Sequence, residues 1–309
     1  MSRPLAFSRL PRRRFLAGLP GLAWLTGLDP LAAGPLNRKG FHISGISLAA
    51  YSLRSEFAVM RGKATDGKLQ MPGFLDYCAS IGLSGAELTS YFFPEDIDSA
   101  YCRKIKRQAH LLGIDLTGGA IGNNFSFPPD SDRSKQELAE TRRWIDFYAE
   151  MGIPTIRVFA GGPAKGIPED QAIANIIANL GAALAHAEAR GVLLGLENHD
   201  FTTRIDRFLR IMQSIDSPWL GGTFDSGNLE PDPDPYGQME RIAPYAITAQ
   251  IKTTLKTPAG KVPTDLPRVV SLLKAANYRG YLVLEYEEEN PREAIPGFIA
   301  QLREAAEKA

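Results

Sequence analysis

Short apolar runs alternate with longer amphipathic stretches along this chain from residue 41 onward. Eight runs have the length and composition of buried strands, at residues 43–49, 82–88, 113–120, 153–160, 191–197, 219–225, 246–252 and 281–287. Between them lie helix-like segments such as residues 171–190, whose Ile, Leu and Ala positions recur at helical spacing. Runs this apolar are typical of strands covered on both faces, as in a parallel sheet.

Eight strand and helix alternations in about 270 residues predict an α/β fold, a single (β/α)8 TIM barrel over residues 34–309. An open doubly wound sheet fits less well, because no glycine-rich dinucleotide fingerprint follows the first strand. The two cysteines, Cys78 and Cys102, are too few for a disulfide framework and are expected in the core, although a single bridge between them stays open.

Polar side chains stand at the carboxyl ends of four predicted strands. Glu197, Asp225 and Glu285 end the apolar runs of strands five, six and eight, and Gln250 takes the comparable place on strand seven. In a barrel these ends converge on one mouth, where carboxylates repel unless a cation lies among them. A divalent metal ion bound among these acids is the simplest explanation for their convergence. The alternative is that each acid caps a helix or pairs with a surface base, and Asp225 before Ser-Gly-Asn can form a simple turn.

The motifs GAEL, GLEN, GGTFDSGN, AQIK and LVLEYE, in this order on strands two and five to eight, resemble the sugar phosphate isomerase/epimerase family, the xylose isomerase-like barrels. In that family Glu, Asp, His and Glu hold a divalent ion, so the resemblance implies Glu197, Asp225, Gln250 and Glu285 as metal ligands. Gln250 departs from the histidine, which leaves an all-oxygen set and favours Mn²⁺ or Mg²⁺ over Zn²⁺. Alternatively, Gln250 hydrogen-bonds substrate and three carboxylates with water hold the ion.

The resemblance implies a metal-dependent sugar isomerase or epimerase. Such an enzyme removes a proton next to a carbonyl, and the metal stabilises the enediolate. Glu197 and Glu285 are the candidate acid-base pair. The first alternative is a lyase or dehydratase acting on a keto-sugar, inosose or 3-keto-glycoside with the same site. The second is a catalytically inactive sugar-binding barrel, because Gln250 and Asn228 stand where the family often has histidines. A nuclease similar to endonuclease IV is disfavoured by the presence of only four histidines.

Two further side chains are candidates for catalysis. Lys252 lies on the same strand face as Gln250, where it can polarise a sugar oxygen or pair with the acids. His199 lies on the same face as Glu197, where it can contact substrate or orient that carboxylate.

Aromatic and amide side chains near the predicted mouth suit a polyhydroxylated ring, so Tyr91, Asn123 and Asn228 are candidate substrate-binding residues. Glu87 and Arg157 lie inside predicted strands two and four, where a charge needs a partner, and we expect them to pair with each other.

Residues 1–33 have the pattern of an export signal. Three arginines at 12–14 precede an apolar stretch at 15–28, and Ala32 and Ala33 supply a small-residue cleavage site. The segment resembles a twin-arginine signal, which predicts passage through the twin-arginine translocase to a periplasmic or other extracytoplasmic location. The apolar stretch is too short and too broken by Gly and Pro to span a bilayer, so no stable membrane insertion is expected after cleavage. A retained anchor or a basic tail is the alternative.

Cleavage after Ala33 also changes the charge. It removes five arginines and one aspartate, leaving 30 basic and 34 acidic residues and a net charge of −4. A mildly acidic surface is a poor nucleic-acid binder, so the expected partner is a small carbohydrate. The sequence leaves a homo-oligomer open.

Overall fold

Eight barrel strands alternate with eight α-helices in residues 34–309, the part of the chain that the computed structural model describes. The strands are β1 (His42–Ala49), β2 (Gly85–Thr89), β3 (Asp115–Ala120), β4 (Thr155–Val158), β5 (Leu193–Glu197), β6 (Leu220–Asp225), β7 (Ala246–Ile251) and β8 (Arg279–Leu284). The helices are α1 (Met71–Ser80), α2 (Ser99–Leu112), α3 (Asp132–Met151), α4 (Glu169–Arg190), α5 (Ile205–Ser214), α6 (Pro235–Ile242), α7 (Leu266–Ala275) and α8 (Pro291–Lys308). The predicted signal peptide, residues 1–33, lies outside the described residues.

The strands form a closed parallel barrel. Each strand pairs with the next along the chain, and β1 pairs with both β2 and β8, so that Ser47 lies opposite Gly85 on one side and Val283 on the other. All eight predicted strands are present, which confirms the single (β/α)8 TIM barrel. The carboxyl ends of the strands therefore share one face of the molecule, where barrel active sites lie.

Local sequence signals set the ends of the helices. The longest helix, α4, carries Glu169 and Asp170 in its first turn, where acids favour the positive end of the helix dipole. It ends at Gly191, whose φ of 69° is left-handed and suits a residue without a Cβ. At the start of α3 the Ser131 hydroxyl accepts the backbone N–H of Ser134 at 3.2 Å, satisfying a group that the helix leaves free.

The core lies between the barrel and the inner faces of the helices. Tyr148 of α3 is fully buried and donates its hydroxyl to the carbonyl of Leu88 at 2.8 Å, which ties the helix to β2. Cys78 and Cys102 are both buried and free, so the expectation that they are core residues is confirmed and no disulfide joins them. Across residues 34–309 no helix combines the length and apolar character needed to cross a membrane.

Two short antiparallel ribbons extend the loops at the carboxyl face. Val59–Met60 pairs with Lys63–Ala64 after β1, and Thr254–Thr257 pairs with Gly260–Pro263 after β7. Each contributes a basic side chain, Arg61 or Lys256, to the wall of the cavity described below.

Candidate active site

A polar cavity of about 580 Å³ opens at the carboxyl ends of the strands. Seven of the predicted site residues line it: Tyr91, Asn123, Glu197, His199, Asn228, Lys252 and Glu285. The other two, Asp225 and Gln250, are not part of the lining and are buried. The barrel therefore brings together residues that are far apart in sequence, as the strand-end argument predicted.

Glu197, the last residue of β5, has a partner on each carboxylate oxygen. Oε2 lies 3.1 Å from Nε of Arg157, and Oε1 accepts a hydrogen bond from Nδ2 of Asn228 at 2.9 Å. Arg157 is buried and also donates to the carbonyl of Ile121 at 2.9 Å. The predicted pairing of Arg157 with Glu87 is wrong. Arg157 lies opposite Gly195 on the neighbouring strand, which places it beside Glu197 rather than beside β2.

Asp225, the last residue of β6, organises the turn that follows it. Its Oδ1 accepts the backbone N–H groups of Gly227 at 2.7 Å and Asn228 at 2.9 Å. Its Oδ2 accepts Nδ2 of Asn228 at 3.0 Å, so the Asn228 amide bridges Asp225 and Glu197. Asp225 therefore does stabilise a turn, which was the alternative role predicted for it from the Ser-Gly-Asn that follows. Burial raises the pKa of Asp225 to about 6, against the opposing effect of Lys252.

Lys252, directly after β7, lies among three carboxylates. Its ammonium donates to Oε2 of Glu285 and to Oε1 of Glu287, the latter at 2.6 Å, and lies 3.4 Å from Oδ2 of Asp225. Burial alone would lower the pKa of this ammonium, but the three carboxylates raise it well above its ordinary value. Lys252 therefore stays charged at neutral pH.

Glu287 is a site residue that the sequence analysis missed. It lines the cavity and pairs with Lys252. The signal was present in the stretch after β8, because Glu287 is two residues beyond Glu285 and alternation places such residues on the same face of an extended chain.

Gln250, the residue that departs from the family pattern, contacts an acid rather than the other predicted ligands. Its Nε2 donates to Oε1 of Glu87 at 2.7 Å. Its Oε1 is buried without a hydrogen-bond partner in residues 34–309. Burial raises the pKa of Glu87 to about 8, with a smaller contribution from the negative charge of the nearby Glu285. Glu87 is therefore protonated at neutral pH.

The remaining predicted residues form the wall of the cavity. His199 packs against Phe159 with ring centroids 4.5 Å apart, and its Nδ1 lies 3.1 Å from Oδ2 of Asp200. The Asn123 amide exchanges two hydrogen bonds with the backbone of Phe159, at 2.8 and 2.9 Å, which holds the loop after β4. The Tyr91 ring is covered by Arg61, whose guanidinium carbon lies 4.1 Å from the ring centroid.

The donor atoms of this site do not fit a divalent ion held by the four predicted ligands. Lys252 pairs with two of them, Asp225 and Glu285, and Arg157 and Asn228 take both oxygens of Glu197. Among the side-chain oxygens of the four, only Oε1 of Gln250 and Oε1 of Glu285 have no partner within residues 34–309, and one neutral amide oxygen with one carboxylate oxygen is a weak ligand set for a divalent ion. Within residues 34–309 no group of three or more His, Cys, Asp or Glu side chains is arranged to hold a metal ion.

The closed barrel with this cavity places the chain in the class of α/β-barrel proteins whose functional groups lie at the carboxyl face. Over residues 75–306 the sequence matches the family described as xylose isomerase-like TIM barrel. The chain belongs to that family, as the motifs predicted. A comparison with curated proteins gave no significant match.

Solved structures with the same fold include sugar epimerases. The 3-keto-D-glucoside 4-epimerase of E. coli is 17% identical with a TM-score of 0.62, over 80% of this chain and 99% of that one. D-psicose 3-epimerase of Clostridium cellulolyticum, solved with D-tagatose, is 13% identical with a TM-score of 0.65, over 85% of this chain and 99% of that one. At these identities the likeness establishes the fold.

Related barrels have also been solved with metals. A xylose isomerase-like TIM barrel protein of Mycobacterium smegmatis in complex with magnesium is 16% identical with a TM-score of 0.63, over 85% of this chain and 97% of that one. Another barrel of this fold contains zinc. A divalent ion therefore occurs in structural neighbours, magnesium in one and zinc in another.

Proposed function

We propose that this protein is a sugar isomerase or epimerase that moves a proton at a carbon next to a carbonyl group. The observation that carries the proposal is that Glu197 and Glu285 line one cavity, each held by a buried cation, Arg157 or Lys252. Two fixed carboxylates on one cavity are the groups that such proton transfer needs.

The reaction follows from these groups. One carboxylate takes the proton from the carbon next to the carbonyl, the C–H bond breaks, and its electron pair moves to leave an enolate oxygen. The other carboxyl group, protonated, returns a proton to carbon. Return on the opposite face gives an epimer, whereas return to the former carbonyl carbon, with transfer of a hydroxyl proton, gives an isomer.

The substrate class is a free sugar or a sugar derivative. A volume of about 580 Å³ is within the range of small-molecule sites, about 300–1,000 Å³, and amide and charged groups dominate its wall. The family membership and the sugar epimerases of the same fold support this class. The sequence has no glycine-rich phosphate cradle followed by lysine, which favours an unphosphorylated substrate.

The same proton abstraction supports a second outcome. When a leaving group is beta to the acidified carbon, the electron pair expels it and the protein acts as a lyase. A keto-glycoside is such a substrate, and one epimerase of this fold is named for a 3-keto-D-glucoside.

Incubation with ketoses and 3-keto-glycosides in heavy water tests the proposal. We expect one solvent deuteron at the carbon next to the carbonyl, with a new epimer or isomer in the product mixture. An eliminated aglycone would assign the lyase reaction. Binding of sugar with no deuterium incorporated from any of these substrates would refute catalysis and leave a sugar-binding barrel.

We also propose that the protein is exported through the twin-arginine route with residues 1–33 removed, on the strength of the three arginines, the apolar stretch and the small-residue site. Fractionation of cells and amino-terminal sequencing test this. Full-length native protein in the cytoplasm would contradict it.

A further inference from the structure

A positively charged side chain, Lys252, already lies among the carboxylates of the site. We propose that the Lys252 ammonium takes the place of a divalent ion, holding Asp225, Glu285 and Glu287 together and neutralising the substrate oxyanion. This inference rests on the function proposed above. It differs from the family expectation because the positive charge is part of the chain and cannot be removed by a chelator.

The first support is the position of the charge. Nζ of Lys252 lies 3.4 Å from Oδ2 of Asp225 and within hydrogen-bond distance of Oε2 of Glu285. These are two of the four side chains that an ion would have to bind. An ammonium and a divalent ion at the same carboxylates repel each other strongly in a buried site, so one excludes the other.

The second support is that Lys252 is fixed there. Only 7% of the residue is exposed, and its backbone N–H donates to Oγ of Ser226 at 2.8 Å. Gly227 makes room for its stem, because a Cβ at position 227 would lie 2.5 Å from Cγ and 2.8 Å from Cβ of Lys252. The glycine of the DSGN motif thus allows the lysine to reach Asp225.

The acids around the ammonium are fixed as well. The backbone N–H of Glu285 donates to the carbonyl of Ile251 at 3.0 Å, which extends the pairing of β8 with β7. The backbone carbonyl of Glu287 accepts Nη2 of Arg54 at 3.0 Å. The backbone that carries both acids is therefore anchored beside Lys252.

The remaining two predicted ligands are also committed to groups of the chain. Arg157 and Asn228 hold Glu197, and the Gln250 amide holds Glu87. Moving Lys252 aside would free only two of the four predicted ligands, Asp225 and Glu285, together with Glu287, and Glu197 would stay paired with Arg157. The site therefore favours the two cations of the chain over one bound ion.

The ammonium also has the chemistry that the reaction needs. Two of its N–H bonds donate to Glu285 and Glu287. Asp225, at 3.4 Å, attracts the charge without accepting a hydrogen bond, so the third N–H is available to a substrate oxygen in the cavity. When a carboxylate takes the proton from carbon, the electron pair moves to the carbonyl oxygen, and the resulting oxyanion accepts that N–H. No proton leaves the ammonium, so the charge is unchanged when the electron pair returns.

Direct measurement of Mn²⁺ binding tests the inference without relying on activity. Chelator-treated wild-type protein is titrated with Mn²⁺ by electron paramagnetic resonance and calorimetry. We expect no saturable site with a Kd below about 1 mM. One equivalent of Mn²⁺ bound with micromolar affinity would overturn the inference, and this measurement does not depend on any variant folding.

Variants isolate the role of the charge. Lys252→Met removes the ammonium at similar length and should raise Mn²⁺ affinity by at least about tenfold, because it frees the three carboxylates that the ammonium contacts. Lys252→Arg keeps the charge and should not raise it. Lys256→Met is the matched control, since Lys256 also lines the cavity but is exposed and makes no ion pair within residues 34–309. A folded Lys252→Met protein with unchanged Mn²⁺ affinity would contradict the inference.

The outcome is separable from that of the proposed function. If wild-type protein binds no Mn²⁺ and also exchanges no proton with any ketose or 3-keto-glycoside, the proposed reaction is wrong, and so is the role of Lys252 toward a substrate oxyanion. The assignment of Lys252 as the cation among the acids then stands. If exchange occurs only with bound Mn²⁺, the reaction class stands and the cation assignment is wrong.

Discussion

Nε of Arg157 lies 3.1 Å from Oε2 of Glu197, and both side chains are buried at the carboxyl end of the barrel. Arg157 is on β4 and Glu197 is at the end of the adjacent β5, so the pair joins two neighbouring strands. A buried pair of this kind is costly to break from one side, because the charge that remains has lost its partner without regaining water.

We predict that Arg157→Leu lowers the free energy of unfolding by about 3–5 kcal/mol, since it leaves Glu197 as an unpaired buried acid. The double variant Arg157→Leu/Glu197→Leu should recover part of this loss. Urea denaturation measures both. Arg103→Leu is the control, because Arg103 pairs with Glu150 at 2.7 Å on the surface with 64% of its side chain exposed, and should cost below about 1 kcal/mol. Equal losses in the buried and exposed variants would contradict this assignment.

Glu197→Gln and Glu285→Gln should each slow solvent proton exchange by a factor of about a hundred or more, because an amide neither takes nor returns a proton. Deuterium incorporation followed by NMR measures the rate. Glu307→Gln is the control, because Glu307 is an exposed acid that does not line the cavity. Near-normal exchange in a folded Glu197 or Glu285 variant would reassign that residue to structure.

Glu87 should make stability depend on pH. Its pKa of about 8 in the folded protein exceeds its ordinary value of 4.5, so the folded state holds this proton more tightly than the unfolded state. The contribution is therefore full below about pH 4.5 and is lost as the pH rises through about 8, by up to about 5 kcal/mol. Glu87→Gln keeps an acceptor for Gln250 and should flatten this decline in urea denaturation curves. The exposed Glu307→Gln control should keep the wild-type slope, and the same slope in Glu87→Gln would show that Glu87 is not its source.

Gln250→His distinguishes a site that binds a divalent ion from one in which the Lys252 ammonium takes its place. The family pattern predicts that histidine at this position creates tight Zn²⁺ binding. With Lys252 and Arg157 still paired to the acids, we expect less than about a tenfold gain in Zn²⁺ affinity from Gln250→His alone. Adding Lys252→Met should give a further gain of at least about tenfold, because it frees carboxylates for the ion. Tight Zn²⁺ binding by the single variant would restore the ligand set inferred from the resemblance.

The fold was predictable from the sequence because its signals are local. Each of the eight apolar runs could be recognised as a strand from its own residues. The positions of Glu197, Asp225 and Glu285 at strand ends then placed them at the carboxyl face of the barrel. The convergence of these acids on one region is confirmed. Their roles as acid or base are not tested by the geometry and stay predictions.

The pairing of charges was not predictable, because it depends on which strands are neighbours and how they are aligned. Arg157 lies opposite Gly195, so the residue two places further along β5, Glu197, becomes its partner, whereas Glu87 is two strands away on β2. Lys252 was considered both as a contact for sugar and as a partner for the acids. Only its distances to Asp225 and Glu287 in the folded barrel show that its ammonium lies among the acids.

Proton exchange by wild-type protein in heavy water, with and without chelator, tests the central claim most directly. The claim is that this barrel transfers protons at sugar carbons with its own lysine as the cation. We predict deuterium at the carbon next to the carbonyl, at the same rate before and after removal of metals with EDTA and with no increase on adding Mn²⁺. Exchange that disappears with EDTA and returns with Mn²⁺, or the absence of exchange under every condition, would contradict the claim.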